Sequence, residues 1–152
     1  MRVDEIMSRA VRTATAGESA ELAYERMRAG GIRHLVVVEG GRVVGIVSER
    51  DLGGARGAAI RSGRTVGELM TEGVATATPA TTLRQAANLL RGRTIGCLPV
   101  LDETRLVGIV TVTDLLEVVG DVARKASTDA RWKPVRRMGR WPRVSEDRRA
   151  RR

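Results

Sequence analysis

The sequence predicts an α+β fold of two β-α-β-β-α units related by pseudo-two-fold symmetry, followed by a basic C-terminal tail. Three observations predict it. The chain repeats itself, since residues 3–52 slide onto 66–115 without a gap, with 19 identities in 50 positions. Both copies carry the same order of apolar patterns, changing from helical to strand periodicity at the same points. Charge is also divided between body and tail. The 152 residues hold 27 Lys and Arg against 18 Asp and Glu, a formal net charge of +9. Residues 121–152 contain 12 basic and 4 acidic side chains, or +8, which leaves residues 1–120 at +1. A basic face dispersed over the body is thereby excluded. The predicted units are 1–61 and 62–122, with the tail at 123–152.

The elements follow in order. Val3-Asp-Glu-Ile-Met7 recurs as Val66-Gly-Glu-Leu-Met70, and the extended Val11-Arg-Thr-Ala-Thr15 recurs as Val74-Ala-Thr-Ala-Thr78. In the second copy Thr82-Leu-Arg-Gln85 has the form of a capping box, placing a helix after it. Leu83, Ala86, Ala87 and Leu90 then fall on one helical face. The first copy keeps this spacing with Ala20, Ala23, Tyr24 and Met27 and stops at Gly30-Gly31. A hairpin comes next, with strands His34–Val38 and Val43–Val47 around a Glu-Gly-Gly-Arg turn. Its counterpart pairs Leu98–Leu101 with Leu106–Val110 around Asp102-Glu-Thr-Arg105. A second helix is expected from Glu49 and from Val112, the latter with Leu115, Leu116, Val118, Val119 and Val122 as its apolar side. Units of this size bury too little surface alone, so pairing must supply a shared core. With aromatics at 2%, that core is expected to be aliphatic.

Composition removes several function classes. One cysteine, Cys97, permits no intramolecular disulfide and no multi-thiolate zinc site. One histidine, His34, excludes a His-rich metal centre. No apolar run approaches the roughly 18–20 residues of a membrane span. The N-terminus carries Asp4 and Glu5 where a signal peptide has its apolar stretch. A cytoplasmic protein without membrane contact is expected. Arg outnumbers Lys 25 to 2, which reads as composition bias rather than as a design for phosphate.

The heptapeptide Gly-Ile-Val-Ser/Thr-x-x-Asp occurs twice, at Gly45–Asp51 and Gly108–Asp114. A hydroxyl and free N–H groups at a helix N-terminus suit phosphate, and a carboxylate there can accept bonds from a ribose diol. Ser48 and Asp51 are equally suited to be ordinary helix caps, and this choice stays open on the residues alone.

Together with Ile6-Met7-Ser8, Leu69-Met70-Thr71, Ile32-Arg-His-Leu-Val-Val37 and Ile95-Gly-Cys-Leu-Pro-Val100, these motifs resemble the CBS domain family, named after cystathionine beta-synthase. The resemblance covers residues 1–120 and implies a tandem pair, or Bateman module, with two clefts for adenosine-containing ligands. One cleft would combine Thr111, Thr113 and Asp114 with Ser8, Thr13 and Ile32. The other would combine Ser48, Arg50 and Asp51 with Thr71, Thr76 and Ile95. In both, the Asp would hold ribose and the Ile would pack on adenine. Arg33 and His34 stand where relatives place basic phosphate contacts, whereas the second copy has Gly96 and Cys97. Val36 replaces a proline that Pro99 retains. Unequal clefts are expected, with the Asp114 cleft favoured. The resemblance further implies no obligatory cofactor, an adenine nucleotide or adenosyl effector, a homodimer through exposed helices, and a regulated partner protein of unknown identity. Longer relatives attach such pairs to enzymes, channels or transporters, so a stand-alone sensor or adaptor is expected here.

Three other features bear on this reading. His34 and Cys97 occupy equivalent positions, which raises a Cys–His nucleophile pair, but no third orienting residue is evident. Cys97 reads as a small buried hydrophobe, and an enzyme is not expected. The tail interleaves Trp132 and Trp141 with arginines, a pattern suited to single-stranded nucleic acid, to docking on the body, or to a solvated extension. The connecting segment Gly53–Thr65 carries Arg56, Arg61 and Arg64, which are read as solvated.

Overall fold

The computed structural model describes residues 1–93 and 95–127, with side chains to residue 121. The expectations for Trp132, Trp141 and the rest of 128–152, and for Val122 as an apolar contact, lie outside the described residues and side chains. The predicted tandem α+β repeat is observed. In the first copy β1 (Thr13–Ala14) runs parallel to β2 (His34–Glu39), which pairs antiparallel with β3 (Arg42–Ser48). Gly40 and Gly41 close that hairpin at φ 55° and 76°, a conformation open to glycine at both positions. In the second copy β4 (Cys97–Asp102) pairs antiparallel with β5 (Arg105–Thr111), and the β1 counterpart shrinks to a bridge between Ala77 and Val100. Both hairpins shift register at the same place, Val37/Val38 and Val100/Leu101.

Helix α1 (Ala20–Gly30) buries Ala20, Ala23, Tyr24 and Met27, the face that the periodicity selects. Gly31 ends it in the left-handed region at φ 62°. Short helices α2 (Ala58–Arg61) and α3 (Val66–Leu69) follow, then α4 (Leu83–Arg93). The capping box of α4 forms as predicted: Thr82 N–H donates to Gln85 Oε1 at 2.9 Å, and Gln85 N–H to Thr82 Oγ1 at 3.2 Å. Its buried stripe departs from the prediction at one position. Ala86 and Leu90 are buried and Leu89 partly so, while Ala87 is exposed. The stripe runs from Leu83 through i+3 rather than i+4, which turns Ala87 outward.

The two cores are interlocked. Val66, at the start of the second copy, is fully buried among Ala23, Met27, Leu35 and Val47 of the first. Reciprocally, Val3 and Met7 enter the second core beside Ala86, Leu98, Val100 and Val110. Backbone bridges fix both arms. Ile46 and Thr71 exchange N–H···O bonds of 3.0 and 2.8 Å, and Ser8 and Ile109 exchange two of 2.9 Å. At about 1.5–3 kcal/mol for each buried Val or Met side chain, Val3 and Met7 together contribute about 3–6 kcal/mol. That is a large share of a typical domain stability of about 5–15 kcal/mol.

This arrangement explains the glycine of the repeated heptapeptide. A Cβ on Gly45 would stand 2.7 Å from Met70 Sδ and 2.9 Å from Thr71 O. One on Gly108 would stand 2.5 Å from Met7 Sδ and 3.1 Å from Ser8 O. Each glycine makes room for the arm of the other copy.

Two expectations fail in the segment after β3. From Val112 a long helix α5 (Val112–Ser127) does form, but after Ser48 the chain makes turns, a 3-10 turn at Gly54–Arg56, and only then α2. Gly53 and Gly54 adopt φ 82° and 62°, and a Cβ on Gly57 would lie 2.4 Å from Gly53 Cα. The glycines thus break the helix and let its ends pack closely. Arg61, read as solvated, is 3% exposed. Its guanidinium donates to Glu21 Oε2 at 2.9 Å, Leu52 O at 2.8 Å and Gly54 O at 2.7 Å, and lies 3.8 Å from the Tyr24 ring centroid. Burial is tolerated because the charge is paired, hydrogen-bonded and stacked.

Because the arms interlock, the two copies should unfold together. Gly108→Ala should cost about 1–3 kcal/mol by displacing Met7. Urea denaturation read by far-ultraviolet circular dichroism should show one cooperative transition at a lower midpoint; two separated transitions would contradict the interlock.

Candidate functional site

The end of β3 sets the site. Ser48 N–H donates to Asp51 Oδ2 at 2.8 Å, and Asp51 N–H donates back to Ser48 Oγ at 3.1 Å. The second copy makes the same reciprocal cap, with Thr111 N–H to Asp114 Oδ2 at 2.7 Å and Asp114 N–H to Thr111 Oγ1 at 3.2 Å. The capping alternative is therefore present in both copies. It engages Oδ2 of Asp51 and leaves Oδ1 for an outside donor.

A cavity of about 960 Å³ opens at this point. The size stands near the upper end of the roughly 300–1,000 Å³ of small-molecule sites. Ser48, Arg50 and Asp51 line it from the first copy, and Thr71 and Ile95 from the second, as the sequence grouped them. Thr76 is exposed and is not part of the lining; Gly73, Val74 and Ala75 line the cavity in its place. Arg33 and His34 also face this cavity. Ile46, Val74 and Ile95 supply apolar wall. The other predicted set, Ser8, Thr13, Ile32, Thr111, Thr113 and Asp114, takes no part in it. The large cavity thus opens on the Asp51 side, whereas the sequence favoured the Asp114 side.

Sequence reasoning missed Arg91 and Arg93, which line the cavity from the last turn of α4. The available signal was an Arg-Gly-Arg run ending an amphipathic helix, indistinguishable there from cations placed on a helix C-terminus. Missed as well was the reason for the Arg33-His34 against Gly96-Cys97 asymmetry. A Cβ on Gly96 would stand 2.8 Å from His34 Nε2, so the imidazole lies where a side chain at position 96 would be.

Electrostatics separate the two candidate nucleophilic partners. Burial lowers the His34 pKa, the Asp51 carboxylate opposes this, and the Arg33 cation adds to it. Burial, assisted by the Asp51 charge, pushes the Cys97 thiol up to about 12. At neutral pH Cys97 is a protonated, buried thiol, held so by burial and the Asp51 carboxylate rather than activated as a nucleophile. Both residues line one cavity without forming a thiolate–imidazolium pair.

The CBS domain family model matches residues 3–55 and 66–121. Among curated proteins, CBS domain-containing protein YhcV of Bacillus subtilis is 31% identical over 114 residues, covering 74% of this chain and 81% of that one. Homoserine O-acetyltransferase of Methanococcoides burtonii is 33% identical over 120 residues, and the chain spans only 24% of its length. The CBS domain pair of protein MJ0100, solved with 5-methylthioadenosine and S-adenosyl-L-methionine, superposes with TM-score 0.73 at 30% identity, covering 80% of this chain and 98% of that one. CBSX2 in complex with AMP superposes with TM-score 0.69 at 26% identity, covering 81% and 98%.

The His34 shift has a definite sign. A depressed pKa means the unfolded state binds the proton more readily, so this stability is present above the ordinary value of 6.5 and is lost as pH falls through the folded value. Melting temperature should decline on acidification from about pH 7 to 5, and His34→Gln should flatten that decline. Cys97 in the folded chain should react with a thiol reagent at about pH 8 at least roughly a hundredfold slower than a free thiol. Equal rates for folded and denatured protein would contradict the raised pKa.

Proposed function

The chain belongs to the CBS domain family, and from that premise we propose that it is a regulatory module whose Asp51 cleft binds an adenosine-containing ligand and transmits that binding to a partner protein. The observation that carries the reading is the cavity between the copies, which gathers the three kinds of contact such a ligand needs. Ile46, Val74 and Ile95 offer an apolar slot for the base. Asp51 Oδ1 accepts from the ribose hydroxyls while Oδ2 remains in its cap. Arg33 and Arg50 take phosphate oxygens, with His34 as a neutral hydrogen-bonding group beside them. That MJ0100 and CBSX2 were solved with adenosyl compounds supports the ligand class.

Transmission follows from the walls. They belong to both copies, so a ligand that bridges them favours one relative setting of the copies over another. A coupling of about 1–3 kcal/mol is ordinary for such a switch. The partner is a separate protein or a further domain; the match to a longer acetyltransferase supports regulation of an enzyme.

Self-association through helices belongs to the same reading. The expected apolar side of α5 divides: Leu115 packs on the second core, while Val112, Leu116 and Val119 are 40%, 63% and 64% exposed. Their i, i+4, i+7 spacing makes a continuous apolar stripe, which a second copy would cover. No helix among the described residues is long and apolar enough to cross a membrane.

Two measurements test the proposal. Calorimetry of the chain against AMP, ADP, ATP, NAD and S-adenosylmethionine should find at least one saturable ligand. Asp51→Asn, which keeps an acceptor for the cap, should weaken it by about 10–100-fold with little change in melting temperature. No binding by any adenosyl compound at millimolar concentration sinks the reading. Sedimentation should give a dimer that the Leu116→Glu, Val119→Glu double variant converts to monomer; a monomeric parent chain would remove the helix interface.

A further inference from the structure

The rim of the Asp51 cavity holds four arginines, Arg33 and Arg50 from the first copy and Arg91 and Arg93 from the second, against the two carboxylates Glu49 and Asp51. Arg33 meets Glu49 at 4.0 Å, and Asp51 is engaged by its own cap. Arg50, Arg91 and Arg93 have no carboxylate partner among the described residues. Elsewhere on the body, Arg26 and Arg61 are paired with Glu18 and Glu21. Other arginines of the body also lack a carboxylate partner, but Arg50, Arg91 and Arg93 line one cavity together with Arg33, on a body whose residues 1–120 carry only +1.

The C-terminal dipole of α4 accounts for cations in its last turn. It does not account for their lining the same cavity as the arginines of the other copy. Like charges around a concave site focus the field inside it, and an anion relieves the repulsion. One phosphate near Asp51 and Arg50 would satisfy the first pair and leave the second unused.

We infer that this cleft selects a nucleoside ligand carrying a chain of two or more phosphates, with Arg91 and Arg93 as the residues that read the phosphates beyond the first. The inference rests on the adenosyl reading of the Asp51 cleft and adds the charge class of the ligand. Arg91 and Arg93 are exposed residues of the cavity lining, so they are free to take a flexible phosphate chain by charge-assisted hydrogen bonds. A thioether such as 5-methylthioadenosine would face these cations with no anion to offer, and S-adenosylmethionine would bring one carboxylate offset by its own sulfonium and ammonium.

The test is a calorimetric titration of the full chain with AMP, ADP, ATP, S-adenosylmethionine and inorganic tripolyphosphate, without divalent cations, at two salt concentrations. The parent should bind ATP at least about tenfold more tightly than AMP, with the larger salt dependence. The Arg91→Gln, Arg93→Gln double variant should lose that gain, hold AMP within about twofold of the parent, and lose tripolyphosphate binding. AMP or S-adenosylmethionine binding as tightly as ATP would overturn the inference and leave the adenosyl reading standing. Tripolyphosphate binding that the double variant abolishes, with no preference for any adenosyl compound, would support the clamp and remove the adenosyl reading. Failure of every compound to bind would overturn both, and an unchanged double variant would overturn the role of Arg91 and Arg93.

Discussion

The fold depends on a reciprocal contact: Met70 lies over Gly45, and Met7 lies over Gly108. Each methionine arrives on an arm that starts one repeat and completes the core of the other. The antiparallel bridges Ile46–Thr71 and Ser8–Ile109 hold these arms at the strands that lead into the heptapeptide hydroxyls Ser48 and Thr111. A side chain in place of either glycine would meet both a sulfur and a backbone oxygen, so the arm could not keep its bridge. The two most distinctive motifs of the sequence, Ile/Leu-Met-Ser/Thr and Gly-Ile-Val, are thus the two halves of one packing interaction. Neither copy has a complete core without the other.

The same contact builds the site. Thr71 follows Met70 directly, and Ser48 follows Ile46 by two residues, so pairing Ile46 with Thr71 sets both walls of the cavity at once. Arg61 fixes the third wall from behind. Its bonds to the Leu52 and Gly54 carbonyls hold the turn that carries Arg50 and Asp51, and Glu21 and Tyr24 anchor it to α1. A buried guanidinium with three hydrogen bonds is an effective brace because its planar donors fix direction as well as distance. Arg61 is not among the cavity-lining residues yet braces the turn that carries Arg50 and Asp51.

Much of this was legible in the residues. Ala20, Ala23, Tyr24 and Met27 announced the buried face of α1, and Thr82 with Gln85 announced the start of α4, because spacing and caps are local properties. The repeat matched Val3 to Val66 but did not show which core each would enter, which depends on contacts across about 60 residues of chain. The broken helix after Ser48 was written in Gly53, Gly54 and Gly57, yet their effect comes from a close approach that one sequence position cannot display. Arg61 was misread because an arginine among glycines resembles a solvated linker until Tyr24 and Glu21 are brought beneath it. The grouping of Ser48, Arg50 and Asp51 with Thr71 and Ile95 came from the resemblance to the CBS domain family, while Arg91 and Arg93 lay outside any motif.

Departures from symmetry distinguish the two clefts of this chain. An exact duplication would give two equal clefts, each with the same cap and the same walls. Here both copies keep the cap, Ser48 with Asp51 and Thr111 with Asp114, but only the first interrupts the following helix with glycines. Only the first has Arg33 and His34, and the second accommodates the imidazole by having Gly96 opposite it. Arg50 stands where the second copy has Thr113, and Arg93 stands where the first copy has Gly30, whereas Arg91 is matched by Arg28. Among the many positions at which the copies differ, these lie around a single cavity. The shared interlock preserves the fold in both halves, which frees the residues around one cleft to diverge from the other.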